Sequence, residues 1–66
     1  MKNMDFGNYL YQLRKDNNLT QRFVAYQLDV SDKAVSKWEM GKSKPDLDKL
    51  KILSTLILWI YSGSEN

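Results

Sequence analysis

The sequence predicts an all-α fold, a small domain of four to five helices. Three observations carry that prediction. Apolar residues recur at helical spacing, most clearly Phe6, Leu10 and Leu13 at i, i+4, i+7. Side chains that cap helix starts, Asp5, Thr20 and Ser31, stand before three such stripes. Asn17-Asn18, Asp29 and Gly41, which suit helix ends or breaks, stand behind them.

Each element can be justified in turn. A first helix is expected from about Asp5 to Asp16, with Leu10, Leu13 and partly Tyr9 inward; Gly7 in its first turn is a weakness. A second covers Gln21 to Leu28 behind the Thr20 cap, turning Val24, Ala25 and Leu28 inward. Asp29-Val30-Ser31 breaks the pattern, and a third helix follows from Asp32 to Trp38 or Glu39, with Val35 and Trp38 inward. Asp32 suits the positive end of that helix. Lys42-Ser43-Lys44-Pro45 reads as a loop. A fourth helix starts at Pro45 or Asp46 and draws its apolar side from Leu47, Leu50, Ile52, Leu53, Leu56 and Ile57. Asp46 and Asp48 at its start read as capping and dipole-complementing residues rather than a metal site. Residues 62–66 are expected to fray.

Size and composition exclude much. The 66 residues are expected to form one domain, residues 1–66. A domain of this size buries only about 60% of the surface its unfolded chain exposes, so its stability is marginal. Cysteine and histidine are absent. Their absence suits a reducing compartment and removes the thiol nucleophile, the commonest metal ligand and the commonest general base. No phosphate-cradling glycine loop is present. An enzyme is therefore not expected, nor any cofactor or metal. MKNMDF lacks the apolar core of a secretion signal and no apolar run approaches the ~20 residues of a membrane span. A cytoplasmic location is the expectation.

The net charge of +2 is weak evidence of a partner, but its distribution is informative. Lys33, Lys37, Lys42 and Lys44 face one acid, Glu39, within twelve residues. All but Lys44 lie in the stretch LTQRFVAYQLDVSDKAVSKWEMGK, residues 19–42, where two short helix patterns meet at a tight break. That is the sequence form of a helix-turn-helix, here residues 21–39, a unit that lays its second helix in the DNA major groove. Ala25 lets the two helices approach closely. Asp32, Lys33, Ser36 and Lys37 share the outward face of the second, as base reading requires.

TQ-x₃-A at Thr20 to Ala25, V-S at Val30-Ser31, A-V-S-K-W-E at Ala34 to Glu39, G-K at Gly41-Lys42 and then Pro45 resemble the Cro/phage-repressor (XRE) type of helix-turn-helix protein. The resemblance covers roughly Leu10 to Leu56. It implies a phage-repressor-type DNA-binding domain, acting as a sequence-specific transcriptional regulator, a repressor that binds a partly palindromic operator as a homodimer. It further implies base readout by Asp32, Lys33, Ser36 and Lys37, phosphate contact by Gln21, with Lys42, Ser43 and Lys44 in the loop, and an ion pair between Arg14 and Glu39. Two positions depart from the pattern. Asp29 stands where glycine is frequent in the turn; aspartate tolerates the left-handed conformation better than most residues. The family's loop before a fifth helix is replaced by the unbroken LILWIY of Leu56 to Tyr61, so that helix is missing, fused to the fourth or replaced.

Several residues carry two readings. Arg22 either reaches the DNA backbone or is a solvated surface charge. Asp32 either accepts from a cytosine amino group or stabilises its helix start and orders Lys33 or Lys37. Trp38 reads as core, although a tryptophan could stack on bases. Tyr9, Tyr11 and Tyr26 read as partly exposed packing residues, one of them within reach of a phosphate. LILWIY covers every side of a helix, more than so small a domain can bury. Leu58, Trp59, Ile60 and Tyr61 are the expected self-association surface, as helix or as a strand pairing across a dimer. A second function class stays open: a protein-interaction module or antitoxin-like partner that keeps the fold and uses this apolar end as its contact.

Overall fold

The structure, a computed structural model, describes residues 5–62. Four α-helices follow in order: α1 (Phe6–Asp16), α2 (Gln21–Leu28), α3 (Asp32–Glu39) and α4 (Leu47–Ser62). No strand occurs among the described residues. The expectation of fraying concerns mainly residues 63–66, outside the described range. Ser62 itself closes α4, its hydroxyl donating to the Leu58 carbonyl at 2.6 Å.

All four helix starts use one device. The side chains of Asp5, Thr20, Ser31 and Asp46 accept from the backbone N–H three residues on, at 2.9, 2.9, 3.2 and 3.1 Å. Each satisfies one of the donors that a first turn leaves without a partner. The ends of α1, α2 and α3 share another device. A left-handed residue follows each helix: Asn18 at φ 56°, Asp29 at 58° and Gly41 at 77°. The next N–H then reaches back five residues, Leu19 to Arg14 at 2.8 Å, Val30 to Ala25 at 3.0 Å and Lys42 to Lys37 at 2.9 Å. These closures satisfy the last carbonyls and turn the chain sharply in few residues.

The core is one cluster: Leu10 and Leu13 from α1, Val24, Ala25 and Leu28 from α2, Val35 and Trp38 from α3, and Leu53 and Leu56 from α4. Ala25 is 4% exposed. Gly7 marks where α1 crosses the end of α3, because a Cβ there would lie 2.7 Å from the carbonyl oxygens of both Trp38 and Glu39. What reads as a weakness in the sequence is a requirement of packing.

The LILWIY run continues α4, so neither a strand nor a separate fifth helix forms within the described residues. α4 contributes less to the core than expected. Leu53, Leu56, Ile57 and Ile60 form its inward stripe at i, i+3, i+4, i+7. Leu47, Leu50 and Ile52, expected on that side, are 65%, 38% and 40% exposed. Leu47 stands in the first turn, and Ile52 falls a third of a turn off the stripe. Tyr9, expected partly inward, is 42% exposed.

Candidate nucleic-acid interface

The helix-turn-helix is α2 and α3 joined through Asp29-Val30-Ser31. Val35 and Trp38 anchor α3 from behind, at 0% and 5% exposure. The opposite side of the same helix carries Asp32, Lys33 and Lys37, all exposed, and Ser36, half-buried at the edge of that face. One turn on, Met40 extends it at 59% exposure. Met40 was not singled out from sequence; its i+4 spacing from Ser36 was the available signal. Lys42, Ser43 and Lys44 follow in an exposed loop, while Pro45 is buried and ties that loop down before α4.

Backbone donors flank this face. The N–H groups of Gln21 and Arg22, opening α2, and of Asp32 and Lys33, opening α3, hold no hydrogen bond to another described residue. Helix starts present such groups together with the positive end of the macrodipole, a combination suited to an anion. Arg22 is exposed and forms no ion pair among the described residues.

Behind the face lies a polar hub. Arg14 Nε donates to Glu39 Oε2 at 2.6 Å and Nη2 to Oε1 at 2.9 Å, a forked pair, while Nη1 donates to the Leu19 carbonyl at 3.0 Å. The two side chains are only 11% and 6% exposed. The hydrogen bond to Glu39, reinforced by its charge and opposed by burial, raises the Arg14 pKa further above its already high ordinary value. The Tyr11 ring stands 5.5 Å from the guanidinium carbon. Gln21 joins the hub, Nε2 donating to Glu39 Oε1 at 3.1 Å. One amide hydrogen of Gln21 is thus committed inward, leaving its second hydrogen and its backbone N–H for an outside ligand. The hub connects α1, the start of α2 and the end of α3. It also neutralises the one acid between Lys33 and Lys44.

The expected self-association residues divide in two. Leu58, Trp59 and Tyr61 are 67%, 62% and 60% exposed, whereas Ile60 packs partly on the core, being seven residues on from Leu53 along the inward stripe. Tyr61 is further held by Asn17, whose Nδ2 donates to its hydroxyl at 3.1 Å. Beside Trp59 an apolar groove of about 410 Å³ runs between α2 and α4, bordered by Phe23, Gln27, Ile52, Thr55 and Leu56. The expected capping role of Asp46 corresponds to its bond to the Lys49 N–H.

A pair of capped helices joined by a three-residue turn, the second buried behind and polar in front, defines the class. The chain belongs to the helix-turn-helix family, which it matches over residues 10–57. It is similar to the HTH-type transcriptional activator BcrR of Enterococcus faecalis, 51% identical over 51 residues, 77% of this chain and 25% of that protein. It is also similar to the HTH-type transcriptional regulator DicA of Escherichia coli (strain K12), 36% identical over 69 residues, 98% of this chain and 51% of that protein. The chain therefore spans about a quarter and about half of the length of these two relatives. No solved structure gives a significant match. No helix among the described residues is long and apolar enough to cross a membrane.

Proposed function

We propose that this domain binds double-stranded DNA sequence-specifically and regulates transcription, as an operator-binding repressor acting as a homodimer in the cytoplasm. The observation that carries the reading is the face of α3. Its eight residues are held from behind by Val35 and Trp38 and offer Asp32, Lys33, Ser36 and Lys37 to a groove. Lysine bonds guanine O6 and N7, serine bonds several base edges, and an aspartate accepts from a cytosine amino group. Lys42, Ser43, Lys44, Arg22 and the α2 start around Gln21 stand where the flanking phosphates would pass. The names of BcrR, a transcriptional activator, and DicA, a transcriptional regulator, support regulation of transcription without deciding between repression and activation.

One α3 helix covers about 12 Å, too little for a long site. Two copies related by a two-fold axis would read two half-sites about 34 Å apart, which implies a partly palindromic operator. Leu58, Trp59 and Tyr61, apolar and exposed on the far end of α4, would form the contact between the copies. That same exposed surface favours a second reading, a protein-interaction module that keeps the fold without the DNA role.

Anisotropy titration of a labelled duplex at two salt concentrations separates the two. The first reading requires affinity that falls steeply with salt, because phosphate contacts release counterions. Lys42→Ala should then weaken every duplex alike and reduce the log–log salt slope by about one. Lys33→Ala or Lys37→Ala should instead change which duplex is preferred, by about 1–3 kcal/mol per lost base contact. A protein indifferent to any duplex at low ionic strength would leave the interaction module as the reading.

A further inference from the structure

We propose that Tyr26 joins Arg22 in a phosphate-binding site on the outward side of α2, one turn on from the α2 start and separate from the lysine loop. The inference rests on the domain being a duplex-binding unit and adds a contact to it. Four tyrosines occur in the chain, and three have work inside the molecule. Tyr11 lies beneath the Arg14 and Lys15 side chains, at 5.5 and 5.7 Å. Tyr61 accepts from Asn17, and Tyr9 borders the cleft between α1 and α4 with Phe6, Leu53 and Ile57. Tyr26 has no such role. It is 80% exposed, more than any other large apolar or aromatic side chain among the described residues, and its hydroxyl holds no hydrogen bond to them.

Its position points outward to one kind of ligand. Arg22 is one helical turn earlier on the same face, exposed and without an ion-pair partner among the described residues. Arg22, Tyr26, Ala25, Val30 and Asp32 border one shallow depression of about 290 Å³ between α2 and the start of α3. When α3 enters a groove, the preceding helix crosses the adjoining backbone strand. The side of α2 bordering the α3 start is therefore the side that strand would meet. Arginine and tyrosine are both suited to phosphate, one by charge and a forked donor set, the other by a neutral hydroxyl on a stiff ring. Ala25 and Val30 give the depression an apolar floor on which the deoxyribose can rest.

The test uses the whole chain and two duplexes, one selected by the wild type from a random pool and one unselected. Tyr26→Phe removes only the hydroxyl, and should weaken both by about three- to tenfold, the effect of one neutral hydrogen bond. The salt slope should not change, because no charge is lost. Arg22→Ala should weaken both and reduce the slope by about one. Thermal melting of both variants should match the wild type, since neither side chain is packed. Tyr26→Phe binding both duplexes like the wild type overturns the site. So does a changed duplex preference in Tyr26→Ala that Tyr26→Phe lacks, which would put the ring on base edges. In either case a binding wild type leaves the DNA reading standing; a wild type that enriches no duplex from the pool and binds none at low ionic strength removes both.

Discussion

At Gly7 a missing methyl lets α1 lie directly against the last carbonyls of α3. Gly7→Ala would gain about 0.5–1 kcal/mol of helix propensity. The 2.7 Å approach to two backbone oxygens cannot be relieved by a rotamer change, and overpacking of this kind costs about 1–3 kcal/mol. The net expectation is a less stable protein, with a melting temperature lower by roughly 4–8 °C per kcal/mol lost. An unchanged melt would show that α1 can back away freely. Arg14 and Glu39 behave differently, because each makes the other tolerable in a nearly dry site. Arg14→Ala leaves a buried carboxylate with only Gln21 as a side-chain donor and should cost about 3 kcal/mol or more. Replacing both with methionine should cost less than the single change, a comparison that urea titration can make. Gly7 and the Gln21 bond were illegible in the sequence for one reason. Both depend on partners brought close by folding, Gln21 and Glu39 lying 18 positions apart.

Helix limits, in contrast, were nearly all legible. They are decided by groups a few residues apart, such as the Thr20 and Ser31 hydroxyls and the N–H groups they cap. The turn of the helix-turn-helix follows the same local logic with one costly residue. Asp29 holds a φ of 58°, a conformation that costs a residue with a Cβ about 1–2 kcal/mol. Asp29→Gly removes that cost and adds backbone entropy to the unfolded chain, about 0.5–1 kcal/mol in the other direction. A modest gain in stability with unchanged DNA affinity is expected, read by melting and by titration. Loss of affinity would mean that Asp29 does more than close α2. The α4 element was legible only in part. Its LILWIY run is apolar on all sides, so periodicity could not say which residues face inward, and the stripe of Leu53, Leu56, Ile57 and Ile60 emerged only from packing against α2 and its neighbours.

For the whole molecule, the outer side of α4 is where two copies would meet in the proposed dimer. Leu58 and Trp59 are both more than half exposed and do not belong to the core. Leu58→Glu with Trp59→Glu should therefore leave the fold and its melt nearly intact while converting the proposed dimer to a monomer in sedimentation. Binding to a two-half-site duplex should weaken far more than binding to one half-site. Ile60→Glu is a poorer probe, because Ile60 leans on the core and the variant would mix unfolding with dissociation. A wild type that sediments as a monomer at high concentration would rule the contact out. The Glu39 carboxylate has a wider consequence. It fastens three helices from the rear by accepting from Arg14 and Gln21, Arg14 in turn donating to the Leu19 carbonyl, and none of the four outward residues of α3 takes part. On the proposed reading, target choice and folding would thus be written in different letters of the same short helix. Mutation of Asp32, Lys33, Ser36 and Lys37 would then rewrite the proposed address in the genome without loosening the joint that holds them, so that one skeleton could serve many targets.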